Sequence, residues 1–359
     1  MVWWPPEKRT QRLLEETMAA RNGKALRRIL LGAVLGTLAA ACLARDAVAT
    51  EQRADGGGMV VTLLGTGGPE PTLARFGPAT LVQAGGLSLL FDAGRGVTVR
   101  LYQLGLSSGK GIDAVFLTHY HSDHVSGLPD LWMTGYMFGP FGSRTAPLKL
   151  FGPSDGTSEP GPATRIAKGL SETFSDDGRI RQADERIAPM AMRIEPHDFR
   201  PDGVVFDQAG VKVTAFAVNH GDLIKPSVGY RIDYGPRSVT ISGDTKLDEN
   251  LIKFATGTDL LIHEVFAISP QLAKLPQLKP VADHHTSPEQ AAQVFARAKP
   301  KLAAYSHIVL LAVGVEELMS RTRSAYAGHT EAGEDLMRFE IGDGVIVKRW
   351  NQELRKYSD

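Results

Sequence analysis

The chain has 359 residues, 43% hydrophobic and 22% charged, which is enough to bury a sizeable core in one large or two small domains. Its 40 Lys and Arg balance 40 Asp and Glu, so no global basic field exists to recruit a polyanion. The single cysteine, Cys42, lies in a segment read below as removable, which leaves the remainder without a disulfide, a zinc finger or a thiol nucleophile.

Residues 24–49 begin with Lys24, Arg27 and Arg28, continue as an apolar run over 29–43 and end in Ala47-Val48-Ala49. A basic start, a short apolar stretch and a small-x-small site before Thr50 form the layout of a bacterial secretory signal peptide. The run is too short and too rich in Gly and Ala for a comfortable membrane span. The reading therefore expects residues 1–49 to be removed, 50–58 to be a linker, and 59–359 to be one domain in the periplasm or outside the cell, with no membrane span. Met18 is an alternative start. Ala39-Ala40-Ala41-Cys42 is a poor lipoprotein box, and Arg27-Arg28 only faintly matches a twin-arginine signal.

The mature chain opens on a strand, residues 59–65, that ends in Gly65-Thr66-Gly67-Gly68. That turn lacks the Walker lysine and the dinucleotide spacing, so it reads as a place where backbone approaches a site. Residues 79–83 and 87–91 form a hairpin around Gly85-Gly86, and Asp92 follows, either orienting a ligand histidine or serving the turn. A short helix over 97–104 leads to an apolar strand at 112–118. That strand delivers His119, His121, Asp123 and His124 within one short stretch. Alternation along a strand throws His119 and His121 to one side, and the turn beyond aims Asp123 and His124 at a second position. Imidazoles with a carboxylate suit zinc, and also iron or manganese.

Trp132, Met133, Tyr136, Met137, Phe138 and Phe141 crowd the following stretch. They read as a helix packed on the core, with an apolar rim over the metal site as the functional alternative. A strand at 147–152 follows, then a polar segment at 160–186 that reads as an insertion or lid. The strand 211–218 ends at His220, and the strand 238–242 ends at Asp244 after Gly243. The strand 260–263 carries His263 and Glu264. Ser287, Pro288 and Gln290 make a capping box behind His284-His285. The strand 302–306 leads to His307, and a hairpin around Gly342-Asp343-Gly344 closes the chain. All but His197 and His329 of the ten histidines fall beside strand ends or a helix start. Strands interleaved with helices, with function at their tips, indicate a layered α/β architecture.

LGTGGPEP (64–71), FDAGRG (91–96), LTHYHSDHVSGLPDL (117–131), NHG (219–221), SGDT (242–245), HE (263–264), HHTS (284–287) and SHI (306–308) together resemble the metallo-β-lactamase superfamily, in its ribonuclease Z and arylsulfatase-like branch. The resemblance implies a four-layer αβ/βα sandwich with two divalent metal ions, usually zinc, at one edge. It implies that His119, His121 and His220 bind one metal, that Asp123, His124 and His307 bind the other, and that Asp244 bridges them. His285 matches a histidine that aids the leaving group, and Glu264 matches a residue that orients it. The implied reaction is hydrolysis through metal-bound hydroxide, with Asp123 taking the water proton.

In ribonuclease Z a long arm that clamps tRNA lies between the third histidine motif and the bridging aspartate. Here only a short hairpin separates His220 from Asp244. With the inferred export and the balanced charge, that ranks a small phosphodiester or aryl sulfate ester first as substrate and argues against nucleic acid. The alternatives are a ribonuclease Z-type tRNA 3′ endonuclease, a lactone or other acyl hydrolase, and a non-catalytic metal-binding protein. Members of the branch are often homodimers.

Overall fold

The computed structural model describes residues 58–358. Residues 1–57, where the sequence reading expects a leader and a linker, lie outside the described residues. Fifteen strands build two sheets. The first takes β1 (Met59–Gly65), β2 (Ala79–Ala84), β3 (Leu87–Phe91), β4 (Ala114–Phe116), β5 (Leu148–Pro153) and β6 (Ile194–Phe199). The second takes β7 (Gly203–Gln208), β8 (Val211–Ala217), β9 (Val228–Tyr234), β10 (Arg237–Ile241), β11 (Leu260–Ile268), β12 (Leu302–Leu311) and β13 (Thr330–Ala332). The chain then returns to the first sheet with β14 (Arg338–Ile341) and β15 (Val345–Lys348), giving the orders β15-β14-β1-β2-β3-β4-β5-β6 and β13-β12-β11-β10-β9-β8-β7.

Both faces of each sheet are covered, so its inner strands read as continuous apolar runs rather than as alternation with polar residues. The period of two survives as a choice between two cores. Val61, Leu63, Leu89, Phe91, Ala114 and Phe116 face the opposite sheet, where they meet Val213, Tyr230, Ile232 and Ile262. Leu64, Leu90, Val115 and Leu117 face outward under the helices Val97–Gln103, Leu128–Tyr136 and Pro162–Thr173. On the second sheet Leu261, Val265, Ala303 and Tyr305 lie under the helices Glu249–Ala255, Pro288–Ala298 and Val315–Arg323. The result is the expected αβ/βα sandwich.

Two details differ from the sequence reading, and a third decides between its two alternatives. β4 is only three residues long, because Leu117 and Thr118 already leave the ladder to position the histidines. Residues 160–186 are not a lid: the helix Pro162–Thr173 buries Ala163 and Ala167 against the sheet, and Asp198 of β6 caps its first turn by accepting from the Ala163 and Thr164 N–H groups at 2.8 and 3.1 Å. Most of the aromatic stretch packs on the core, as read, while Phe138 stays exposed. Trp132 and Tyr136 are buried, with Trp132 Nε1 donating to Met192 O at 3.0 Å and Tyr136 Oη to Asp177 at 2.8 Å, and Phe141 packs on Tyr102.

The loop after β1 is fixed by one buried carboxylate. Asp335 accepts from the N–H groups of Thr66 and Phe76 at 2.9 and 2.7 Å and from Arg100 at 2.7 Å. That ties the return strand β14 to the floor of the site. Among the described residues no helix is long and apolar enough to cross a membrane.

Candidate metal centre

Four segments meet at one edge of the sandwich. His119 and His121 follow β4, and Asp123 and His124 lie on the single helical turn Ser122–Val125. His220 follows β8, and Asp244 follows β10. These are the carboxyl ends of strands, where open α/β sheets place their ligands. Gly243 precedes Asp244 with φ near +61°, a conformation that a side chain would strain, and a Cβ there would also run into Val228 O. His307 is placed differently from the sequence reading. It lies inside β12, not past its end, at a register shift where His263 pairs with Tyr305 but Val265 pairs with Ile308. The extra residue, with φ near +43°, turns the imidazole away from the helix-side core and into the site.

The ligand atoms converge on Asp244. Its Oδ2 lies 3.3 Å from His124 Nε2, 3.3 Å from His307 Nε2, 3.7 Å from His220 Nε2 and 3.8 Å from His119 Nε2. On one side His121 Nδ1 is 3.3 Å from His220 Nε2. On the other, Asp123 Oδ2 is 3.2 Å from His307 Nε2 and 3.6 Å from His124 Nε2. Of four overlapping groups, two take in all seven expected ligands, His119 with His121, His220 and Asp244, and Asp123 with His124 and His307; the other two hold His285, with His220 and His284 and with Asp244 and His307. His121 is the most accessible of the seven.

The outer nitrogens are fixed by partners. Asp92 accepts from His124 Nδ1 at 2.8 Å and is itself held by the Thr118 N–H and hydroxyl at 2.8 and 2.9 Å. Thr118 Oγ1 lies 3.1 Å from His119 Nδ1, and His220 Nδ1 is 2.9 Å from the His284 carbonyl. Such contacts choose the tautomer and leave Nε2 facing inward. Asp92, one of two readings in the sequence, is thus an orienting residue.

The cluster fits a divalent metal on its own chemistry. His119 Nε2, His124 Nε2 and Asp244 Oδ1 are buried and make no hydrogen bond among the described residues. Ligand atoms about 2.0–2.1 Å from a tetrahedral zinc stand roughly 3.3 Å apart, which is the spacing seen around both groups. Burial and the neighbouring imidazoles hold His119 well below the usual histidine range, and burial takes His220 down to about 4, so both offer neutral lone pairs. Burial opposes ionisation of Asp244, but the surrounding histidines outweigh it and hold the carboxyl well below its usual range. His124 is also buried, yet Asp244 and Asp92 hold it protonated, a charge that a bound cation would take over.

His285 lies beside the cluster, buried, with its ring 4.9 Å from that of His220 and 5.6 Å from that of His307. Its Nδ1 is 3.2 Å from Glu264 Oε1. That oxygen also accepts from the Thr286 N–H at 2.9 Å and the Thr245 N–H at 3.3 Å, so Glu264 holds the Asp244 and His285 segments together. Burial works against the charge, but Glu264 prevails and lifts the His285 imidazole to about 9. The sequence reading gave two neighbouring histidines no role in the site. His263 stays out of the site, packed edge-on against Phe295 with Nδ1 bonded to Glu264 O. His284 enters it, its ring 4.9 Å from His220 and 4.8 Å from His285. Only its adjacency to His285 signalled this. His197 and His329 pair with Glu195 and Glu331 and take no part in the cluster.

Comparison with known proteins places this geometry. Residues 88–308 match the family model described as the beta-lactamase superfamily domain. The chain is 37% identical over 286 residues to a ribonuclease Z of Mycobacterium avium, an alignment covering 78% of this chain and 98% of that relative. It is 35% identical over 285 residues to a ribonuclease Z of Mycobacterium bovis, with the same coverage. In structure it resembles the metallo-β-lactamase fold protein YhfI of Bacillus subtilis, with TM-score 0.60 and 21% identity over 79% of this chain and 99% of that one. It also resembles the short form of human tRNase Z, with TM-score 0.57, 21% identity and the same coverage. These relatives overturn the ranking of a small-molecule ester substrate above nucleic acid. That ranking used the missing arm and the net charge. The alignment takes in 98% of the Mycobacterium avium ribonuclease Z, which leaves that relative no room for a long arm either. A net charge of zero is a sum over the chain and does not describe the surface at one edge.

Proposed function

The chain belongs to the metallo-β-lactamase superfamily, in its ribonuclease Z branch, and from that premise we propose that it is a metal-dependent ribonuclease hydrolysing an RNA phosphodiester. The observation that carries the reading is the match to a ribonuclease Z along almost its whole length by a chain whose seven metal-binding side chains converge on one edge. His119, His121 and His220 would hold one ion and Asp123, His124 and His307 the other, with Asp244 in reach of both groups. Ions bound there would supply a water of lowered pKa and stabilise charge on the phosphoryl group. Burial opposes the charge of Asp123, but the hydrogen bond to His307 and the nearby imidazoles hold its carboxyl below the usual range, and it accepts the proton from the attacking water. His285, charged at neutral pH, donates to the leaving oxygen, and Glu264 fixes the direction from which it does so.

The test is a precursor tRNA bearing a 3′ trailer, incubated with protein loaded with zinc or manganese. A single cut that releases the trailer, and that is lost on chelation and in Asp244→Asn, is the expected result. Intact RNA with every metal tried would remove the reading.

We also propose that residues 24–49 direct export and that cleavage leaves Thr50 at the mature N-terminus. Sequencing the N-terminus of protein taken from periplasm and medium decides this independently. An uncleaved chain confined to the cytoplasm would refute it, whatever the RNA assay gives.

A further inference from the structure

His284 is an imidazole of the cluster with no role in the hydrolysis proposed above. Its ring lies 4.9 Å from that of His220 and 4.8 Å from that of His285. One ring nitrogen of each of the three falls within 4.8 Å of the others. His220 is an expected metal ligand and His285 meets the leaving oxygen, so the scissile phosphoryl group has to lie against both. A nitrogen within 4.8 Å of both borders the place that group would take.

The residue is held from two sides. Its carbonyl accepts from His220 Nδ1 at 2.9 Å. Gly221, with φ near +103°, lets the loop after His220 close on it, since a Cβ there would stand 3.2 Å from the His284 Cβ. Two residues further on, Thr286 donates its N–H to Glu264 at 2.9 Å and its carbonyl accepts from the Phe266 N–H at 2.9 Å. The His284 side chain is only half-buried, and among the described residues its ring nitrogens make no hydrogen bond. A third metal is a poor account of it. His220 Nε2 faces Asp244 at 3.7 Å, and His285 Nδ1 faces Glu264 at 3.2 Å. A cation beside His284 would have to draw His220 from the main centre and occupy the nitrogen with which His285 donates. An imidazole carries at least one N–H in either charge state, and a phosphoryl oxygen is a charged acceptor. We propose that His284 binds substrate, its ring N–H donating to a non-bridging oxygen of the scissile phosphoryl group. The proposal rests on the phosphodiester reading above. It divides the work of two adjacent residues: His284 holds the phosphoryl oxygen, and His285 protonates the leaving one.

The test is calorimetry on the full chain loaded with zinc, titrated with inorganic phosphate, which presents the same oxygens without the rest of a substrate. His284→Ala should weaken phosphate binding by about ten- to a hundredfold, the worth of a hydrogen bond to a charged group. His284→Gln keeps an N–H donor and should recover most of that loss. Both variants should hold as much zinc as the parent by elemental analysis, because the contact with His220 is made by a backbone carbonyl and survives the substitution. If His284→Ala does not fold, His284→Phe keeps a ring without a donor and should show the same weakening. A parent that does not bind phosphate, or a variant without the donor that binds it as tightly as the parent, overturns the proposal. Loss of zinc from His284→Ala overturns it too, because the residue would then be a metal ligand or a prop for one. RNA cleavage is scored separately. A parent that binds phosphate through His284 but cuts no RNA retires the ribonuclease reading and leaves the phosphoryl contact. A parent that cuts RNA while its phosphate binding is indifferent to His284 retires the contact alone.

Discussion

Two buried histidines are held charged by carboxylates, and the charge serves a different purpose in each. Burial resists protonation of His124, but it lies between Asp92 and Asp244, both part of the cluster or its support, so its proton stands where a cation would stand. His285 lies within ligand reach of Asp244 and His307, but it takes its charge from Glu264, which belongs to none of the groups of converging ligands. The two should therefore separate on mutation. His124→Ala removes a ligand and should lower the metal content. His285→Ala should keep about two metals per chain by elemental analysis and lose turnover by about 10²–10⁴-fold, the range for a positioned general acid. A His285→Ala enzyme as active as its parent would exclude the ring from the proton transfer.

At the scale of elements, the helix Pro288–Ala298 brings His285 to the site, and its position depends on contacts with its neighbours. Ser287 and Gln290 close its N-terminal capping box. Arg321 of the helix Val315–Arg323 donates to Glu289 at 2.7 and 3.1 Å and reaches Ile268 O at 3.2 Å. The Arg321 contact takes the Glu289 carboxyl down to about 2. A folded pKa below the unfolded value means that this stability is fully present above the ordinary glutamate pKa and is lost as pH falls from there towards 2. The pair is half open to water, so its worth is about 0.5–1 kcal/mol. Glu289→Gln should lower the Tm by a few degrees at pH 7, and the gap should narrow between pH 5 and pH 3. A gap independent of pH would mean that packing, not charge, joins the helices. The capping box was legible in the sequence, because Ser-Pro-x-Gln carries a local signal. The converging ligands were legible for a similar reason, since each lies close behind a run of apolar residues in sequence. The bulge at His307 was not legible, because an extra residue in one strand shows only against its partner strand. The caps and walls of the helix Pro162–Thr173 were also hidden. Asp198 lies 35 residues from Ala163 in sequence, and a polar surface on that helix looks the same whether its apolar side meets a sheet or solvent.

For the molecule as a whole, the centre is a seam between the sheets. His119, His121, Asp123 and His124 come from the end of β4 in the first sheet, and His220, Asp244 and His307 come from the second. An unfolded chain keeps only the local stretch 119–124 and not the ligands of the second sheet, so a cation that binds the cluster binds the folded state more tightly. Such binding stabilises by RT ln(1 + [L]/Kd), about 1.4 kcal/mol for each tenfold excess of free metal over Kd. Without the cation the seam holds buried nitrogens and a carboxylate oxygen that make no hydrogen bond, and each unpaired buried group costs about 1–3 kcal/mol. Both effects have the same sign. The Tm should rise with zinc concentration in steps that track its logarithm, and should fall when a chelator strips the protein. In Asp244→Asn the anionic oxygen close to four histidines is gone, and the Tm should respond far less to either treatment. A parent protein whose melting is indifferent to zinc and to chelator would mean that the histidines and aspartates satisfy one another as a charge network, and the two-metal reading of this edge would fail with it.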